Sequence, residues 1–332
     1  MPSPSPTTPN IDDIRAAAAR IEPYAVRTPL LESPHLNDAV GGRVLIKAEP
    51  LQRTGSFKFR GAFNMVSSLT DAQKDKGVVA FSSGNHAQGV AAAAKILGIK
   101  ATIVMPADAP EIKIKNTQGD GAETVLYNRA EANRVAIADK IIEETGATLV
   151  PPFDAPQIMA GQGTLGLEFL DQAKDMGAEL DCLLGPCSGG GMIGGNAIAF
   201  KERSPNTSIY CVEPEGYDDT ALSLEAGERV QIKPETSSFC DSLLLEIPGE
   251  LTFTVNRKLL KGGLVVSQAE TANAMKNAFQ EYKIVVEPGG AVALAAALSG
   301  KIDLQGKTVG IICTGGNVDA DTFAQVLEGK FD

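Results

Sequence analysis

Lys58 stands between two aromatic residues in Thr54-Gly-Ser-Phe-Lys-Phe-Arg-Gly61. Flanking rings strip water from an ammonium, which lowers its pKa and favours the neutral amine. A neutral lysine can attack a carbonyl and form a Schiff base. The plainer reading is a surface lysine that lays its stem along two rings. A second feature is Gly185-Pro-Cys-Ser-Gly-Gly-Gly-Met-Ile-Gly-Gly195, which follows an apolar run and opens a helical one. Consecutive glycines let backbone N–H groups close around an anion, and a helix N-terminus adds a favourable dipole. The loop therefore reads as a phosphate cradle, with a tight turn and close helix–sheet packing as the alternative. Which phosphate it holds stays open at this point. Gly189, Gly191 and Gly194 satisfy GxGxxG, and Glu213 lies 19 residues beyond Gly194. Those four residues meet the dinucleotide fingerprint. That assignment leaves Lys58 and the loop Ser82-Ser-Gly-Asn-His86 without a task.

The elements that must carry these residues follow a strand–turn–helix–strand rhythm. Strands are expected at 44–48, 78–81, 101–105, 182–184, 209–212 and 308–312, with helices at 12–20, 87–97 and from the glycine loop to Arg203. Asp12 or Asp13 is the expected cap of the first helix. Apolar strands alternating with helices point to an α/β fold with parallel sheets covered on both faces. Ser82 to His86 is expected to cap the following helix, and a cap with spare donors is also a carboxylate site.

Composition narrows the partners. The chain has 332 residues, 43% hydrophobic and 21% charged, and a prior of about 150 residues per domain favours two lobes. With 41 acidic against 30 basic residues the net charge is -11, and the positives are scattered. Such a field disfavours nucleic acid and anionic membranes as partners, and a small-molecule substrate is expected. Two histidines argue against a His-rich metal site. Five cysteines without CxxC spacing read as thiols of a reducing compartment. No run nears the ~20 apolar residues of a membrane span. MPSPSPTTPN lacks the charged and apolar regions of a signal peptide and reads as a tail, which leaves the cytoplasm as the expected location.

Five segments in this order carry a resemblance: Ser56-Phe-Lys-Phe-Arg-Gly-Ala62, Ser82-Ser-Gly-Asn-His86, Ser188-Gly-Gly-Gly-Met192, Glu287-Pro-Gly-Gly-Ala291 and Thr314-Gly-Gly-Asn317. Together they resemble the fold-type II pyridoxal-phosphate enzymes, in the serine/threonine dehydratase (threonine ammonia-lyase) and serine racemase branch. The resemblance runs from Ile14 to Asp319. It implies a two-lobed, tryptophan synthase β-like α/β fold with parallel-rich sheets and the cofactor in the interlobe cleft. Residues 53–155 would form a smaller inserted lobe, and 1–52 with 156–332 the larger. Gln162-Gly163-Thr164 would mark the return to the larger lobe. With 13 residues after Asp319, no C-terminal regulatory domain is expected.

The resemblance also assigns roles. Lys58 would hold pyridoxal 5'-phosphate covalently and later remove the α-proton. Ser188, Gly189, Gly190, Gly191 and Met192 would cradle the phosphate, although the family often has glycine where Ser188 stands. Phe57 would pack on the ring, Asn85 would bond the 3′ oxygen, and Thr314 would face the pyridine nitrogen. A hydroxyl there, in place of an acid, stabilises a carbanion less and suits β-elimination. Ser82, Ser83, Asn85 and His86 would grip a substrate carboxylate, His86 through its backbone. Ser83 matches the opposite-face acid/base of the racemases. Glu213, the carbonyl of Tyr217 and Asp219 match positions that bind Mg²⁺ or Ca²⁺, hard cations suited to oxygen ligands. A solvated acidic loop is the plainer alternative.

The expected reaction is loss of water from a β-hydroxy amino acid such as L-threonine or L-serine, giving a 2-oxo acid and ammonia. A catabolic, homo-oligomeric enzyme, dimer or tetramer, is implied. A 3-hydroxyaspartate ammonia-lyase would need one more cation, for which Arg53, Arg60 and Arg134 are candidates. A serine racemase would reprotonate through Ser83. Cysteine synthase-type β-replacement is disfavoured by His86, and an amino-acid sensor by Lys58. The rival from another class is a nicotinamide-dependent oxidoreductase built on the GxGxxG loop.

Overall fold

Most of the apolar runs that follow a helix form parallel strands, and the central ones are buried on both faces. The computed structural model describes residues 7–128 and 130–331. The expected N-terminal tail thus falls largely on residues 1–6, outside the described ones. The strands among the described residues are β1 (Leu30–Glu32), β2 (Arg43–Ala48), β3 (Val78–Phe81), β4 (Ala101–Pro106), β5 (Glu123–Tyr127), β6 (Thr148–Leu149), β7 (Cys182–Pro186), β8 (Ser208–Pro214), β9 (Gly262–Val266) and β10 (Thr308–Cys313). They form a six-stranded sheet in the order β1-β2-β10-β7-β8-β9 and a four-stranded sheet in the order β5-β4-β3-β6. Every strand pairing is parallel except β1 with β2.

Helices cover both sheets. Pro288–Leu298 is buried from Pro288 to Ala297 and packs into the core of the larger sheet, which its run of alanines allows. Helix Lys58–Ser67 meets helix Pro156–Asp175 where Gly61 faces Gly161, and a Cβ on Gly161 would lie 2.6 Å from the Gly61 Cα. Close by, Arg60 is fully buried between Glu49 (2.8 Å) and Glu168 (2.8 Å), and Lys47 joins Glu168 at 2.9 Å. This network fixes the helix that begins with Lys58. No helix among the described residues is long and apolar enough to cross a membrane.

Some boundaries differ from expectation. The first helix is Ile11–Ile21, capped by Asn10, whose side chain accepts from the N–H groups of Asp12 and Asp13. Asp12 and Asp13 are therefore first-turn acids, not the cap. The helix expected from Ala87 begins at Asn85.

Candidate active site

Three loops, each leaving the C-terminal end of a strand, converge on one cavity of about 200 Å³. They follow β3, β7 and β10 and carry Ser82–His86, Cys187–Met192 and Thr314. Lys58 and Phe57 line it as well. All the expected cofactor and carboxylate residues line this one space. Glu213, Tyr217 and Asp219 do not.

The Lys58 amine donates to the carbonyl of Pro152 at 2.8 Å and sits 5.3 Å from the centre of the Phe57 ring. Burial pushes its pKa down to about 8, against the opposing charge of Glu287. Opposite lies the glycine loop. A Cβ on Gly189 would come within 2.2 Å of the Phe153 ring, and one on Gly191 within 2.9 Å of the Phe153 carbonyl. Gly190 adopts φ +83°, where only glycine is unstrained. The other glycines of the motif pack helices: a Cβ on Gly195 would lie 2.2 Å from the Met159 carbonyl. Close packing thus explains glycines throughout the loop, and Gly189, Gly190 and Gly191 also line the cavity.

In the first loop Ser82 Oγ accepts from the N–H of Gly84 at 3.1 Å, so this serine shapes the turn. Ser83 also faces the cavity. The side-chain amide of Asn85 donates to Glu287, and its oxygen accepts from Asn317 at 2.9 Å. His86 is buried, its Nε2 against the Val150 carbonyl at 2.8 Å, which makes that nitrogen the donor. Burial and nearby Lys58 push its pKa down to about 3, so the ring stays neutral and is no proton donor at ordinary pH.

Sequence reasoning missed a buried triad beside this loop. Lys113, on helix Glu111–Gly119, lies 2.7 Å from Asp241 and 3.2 Å from Glu287. The charges of its two partners outweigh burial and hold the lysine above its ordinary value. Burial pushes Glu287 upward, with Lys113 opposing. Nothing in Glu-Ile-Lys-Ile-Lys distinguishes buried Lys113 from exposed Lys115. Pro152, Phe153 and Ser242 were missed as well, because they lie outside strands and helices.

Two of the three candidate cations are elsewhere. Arg60 is consumed by Glu49 and Glu168. Arg53 donates to the Tyr24 carbonyl and lies over Phe59. Arg134 does line the cavity, stacked 5.4 Å above the Phe81 ring, and no ion pair engages it among the described residues.

At the end of β8, Glu213 accepts from the N–H groups of Thr220 (3.2 Å) and Ala221 (2.8 Å). Asp219 is fully buried and both its carboxylate oxygens lack a partner among the described residues. No three His, Cys, Asp or Glu side chains cluster there among the described residues, and the expected cation set has only two. All five cysteines are free and buried.

Comparison with known proteins settles the choice left open by the glycine loop. A family model for pyridoxal-phosphate dependent enzymes matches residues 21–315. An L-threo-3-hydroxyaspartate ammonia-lyase of Saccharomyces cerevisiae is 43% identical over 325 residues, covering 98% of both chains. The structure of maize serine racemase superposes with a TM-score of 0.90 at 40% identity, over 97% of this chain and 98% of that one. The processed form of threonine deaminase isoform 2 from Solanum lycopersicum gives 0.87 at 36%, over 98% and 95%. The dinucleotide reading falls, and the cavity with its buried amine and glycine cradle belongs to a member of the pyridoxal-phosphate dependent enzyme family.

Proposed function

We propose that this chain is an ammonia-lyase that removes water from a β-hydroxy amino acid, with 3-hydroxyaspartate as its preferred substrate class. The observation that carries the substrate class is Arg134, a cation on the cavity wall without a carboxylate partner among the described residues. Bound pyridoxal phosphate supplies the electron sink that makes an α-proton removable. The residues fit it: Lys58 offers a desolvated amine, Gly189–Gly191 a cradle with no room for side chains, and Thr314 a neutral wall. Phe57, Asn85, Ser188 and Met192 line the same cavity; Phe57 would pack on the ring of the bound group, Asn85 would bond its 3′ oxygen, and Ser188 and Met192 would flank the phosphate.

The loop Ser82–His86 binds the substrate α-carboxylate at the start of helix Asn85–Leu97, where free N–H groups and the dipole favour an anion. Lys58 then takes the α-proton, and the β-hydroxyl leaves with a proton as water. Hydrolysis of the released enamine through its imine returns a water and gives ammonia and a 2-oxo acid. Ser83 stands on the cavity wall as the group that could reprotonate the α-carbon instead. Two α/β lobes, one on each sheet, enclose the site, and the working form is a homo-oligomer in the cytoplasm.

An ammonia-release panel tests this reading. L-threo-3-hydroxyaspartate is expected to turn over fastest among the four 3-hydroxyaspartate isomers, L-serine, L-threonine and D-serine. Silence on every substrate would overturn the lyase reading. D- from L-serine without ammonia would move the chain to a racemase.

The orphaned Asp219 oxygens beside buried Glu213 suit a hard cation, with the Tyr217 carbonyl as third ligand. Mg²⁺ or Ca²⁺ at a hundredfold excess over Kd would stabilise the chelator-treated protein by about 2.7 kcal/mol, or about 5 °C in Tm. Asp219→Asn should abolish that shift and melt above the chelated wild type, since it removes an unpaired buried carboxylate. An equal shift in both proteins would refute the site.

A further inference from the structure

The phosphate cradle is held from behind by a helix that does not touch the cofactor side. Helix Glu250–Leu259 presents Thr252 and Asn256, one turn apart, to the glycine loop. Thr252 Oγ1 donates to the carbonyl of Gly189 at 2.6 Å, and Asn256 Nδ2 to the carbonyl of Gly190 at 3.2 Å. In a planar trans peptide the C=O and the following N–H point in opposite directions. Turning these two carbonyls toward the helix therefore turns the N–H groups of Gly190 and Gly191 toward the cavity they line.

The helix has no cap of its own. Its N-cap is Gly249, and a Cβ there would lie 2.5 Å from the Asp154 carboxylate. Asp154 supplies what the glycine lacks. One oxygen accepts from Glu250 N, the other from Leu251 N and Thr252 N, each at 3.0 Å. The segment that carries Asp154 also gives Lys58 its acceptor at Pro152 and closes over Gly189 with Phe153. Three consecutive residues thus touch the amine, the cradle and the helix behind the cradle.

We propose that Asp154 is a positioning residue for the cofactor phosphate, acting through helix Glu250–Leu259 and the Thr252 and Asn256 hydrogen bonds. The inference rests on the family's cofactor and not on the choice of substrate. Capping from a distant segment fixes the axial position of the helix, and that position sets where the two carbonyls of the loop can point. The Gly190 carbonyl also accepts from Gly194 N at 3.0 Å, so losing the cap releases chiefly the Gly190 N–H, which Thr252 aims through the Gly189 carbonyl.

The test compares pyridoxal phosphate with pyridoxal, which lacks the phosphate, on full-length protein stripped of cofactor. Asp154→Ala is expected to lower the preference for the phosphorylated form at least 10-fold, with pyridoxal affinity unchanged. Asp154→Asn keeps one acceptor oxygen, enough for Leu251 N and Thr252 N but not for Glu250 N, and should restore it in part. Thr252→Val, which leaves the cap in place, should reproduce the loss and stands in if Asp154→Ala fails to fold. An unchanged preference in Asp154→Ala and Thr252→Val, or equal losses of both ligands, would overturn the proposal. The ammonia panel is a separate readout, so failure of one does not decide the other.

Discussion

Lys58→Ala is expected to cut turnover by about 10⁴-fold or more, since the function proposed above gives this one residue both the covalent anchor and the base. Borohydride reduction followed by mass spectrometry should find pyridoxal phosphate bonded to the wild type and not to the variant. A second amine lines the same cavity, which makes the expectation less trivial. Lys113 cannot stand in, because Asp241 and Glu287 keep it an ammonium with no free electron pair. An adduct in the variant, mapped to Lys113, would show that this triad is weaker than its geometry implies. The same environment gives a pH signature. Below about 8 the Lys58 amine is protonated and cannot attack an aldehyde; above it the neutral amine can. Capture of the cofactor by stripped protein should therefore quicken with rising pH through about 8 and then level off. A rate still climbing toward the ordinary lysine value near about 10.4 would place Lys58 in a wetter site than its neighbours suggest.

The residues that line the cavity were easier to read than the architecture behind them, for a physical reason. Lys58, Asn85, Thr314 and Gly189–Gly191 sit in short contiguous motifs because each loop leaves one strand end. Local sequence therefore carries the local function. Strands β2, β3, β4, β7, β8 and β10 were legible because burial on both faces demands unbroken apolar runs. β1, with three half-buried residues, and β9, which opens on two glycines, lack that signal. What the sequence could not show is any partnership between distant residues. Arg60, Glu49 and Glu168 meet only in the folded chain, as do Lys113, Asp241 and Glu287. Three arginines looked alike as candidate cations, and only their partners separate them. Asp154 reads as one more loop acid until helix Glu250–Leu259 is placed beside it.

That separation makes Arg134 the residue whose loss should change substrate choice. Its guanidinium stacks on Phe81, the last residue of β3, and the next residues in the chain are Ser82 and Ser83, proposed above to bind the α-carboxylate. A dicarboxylate could thus place one carboxylate on the serine loop and the other against the cation stacked just before it. The stacking contributes about 0.5–1 kcal/mol and holds the planar fork ready for bidentate contact. Arg134→Ala is expected to lower kcat/KM for L-threo-3-hydroxyaspartate about 100-fold, or about 2.7 kcal/mol. L-serine, which has no second carboxylate, should change by less than about 3-fold. Arg134→Lys keeps a charge but loses the fork, and an intermediate loss of about 10-fold on the dicarboxylate is expected. Equal losses on both substrates would mean that Arg134 supports the loop instead of reading the substrate. No loss on either would leave the second carboxylate to another group, and Lys113 has no charge to spare because two carboxylates already neutralise it. A loss confined to the dicarboxylate would assign its second carboxylate to Arg134, because a change in the loop itself would cost both substrates alike.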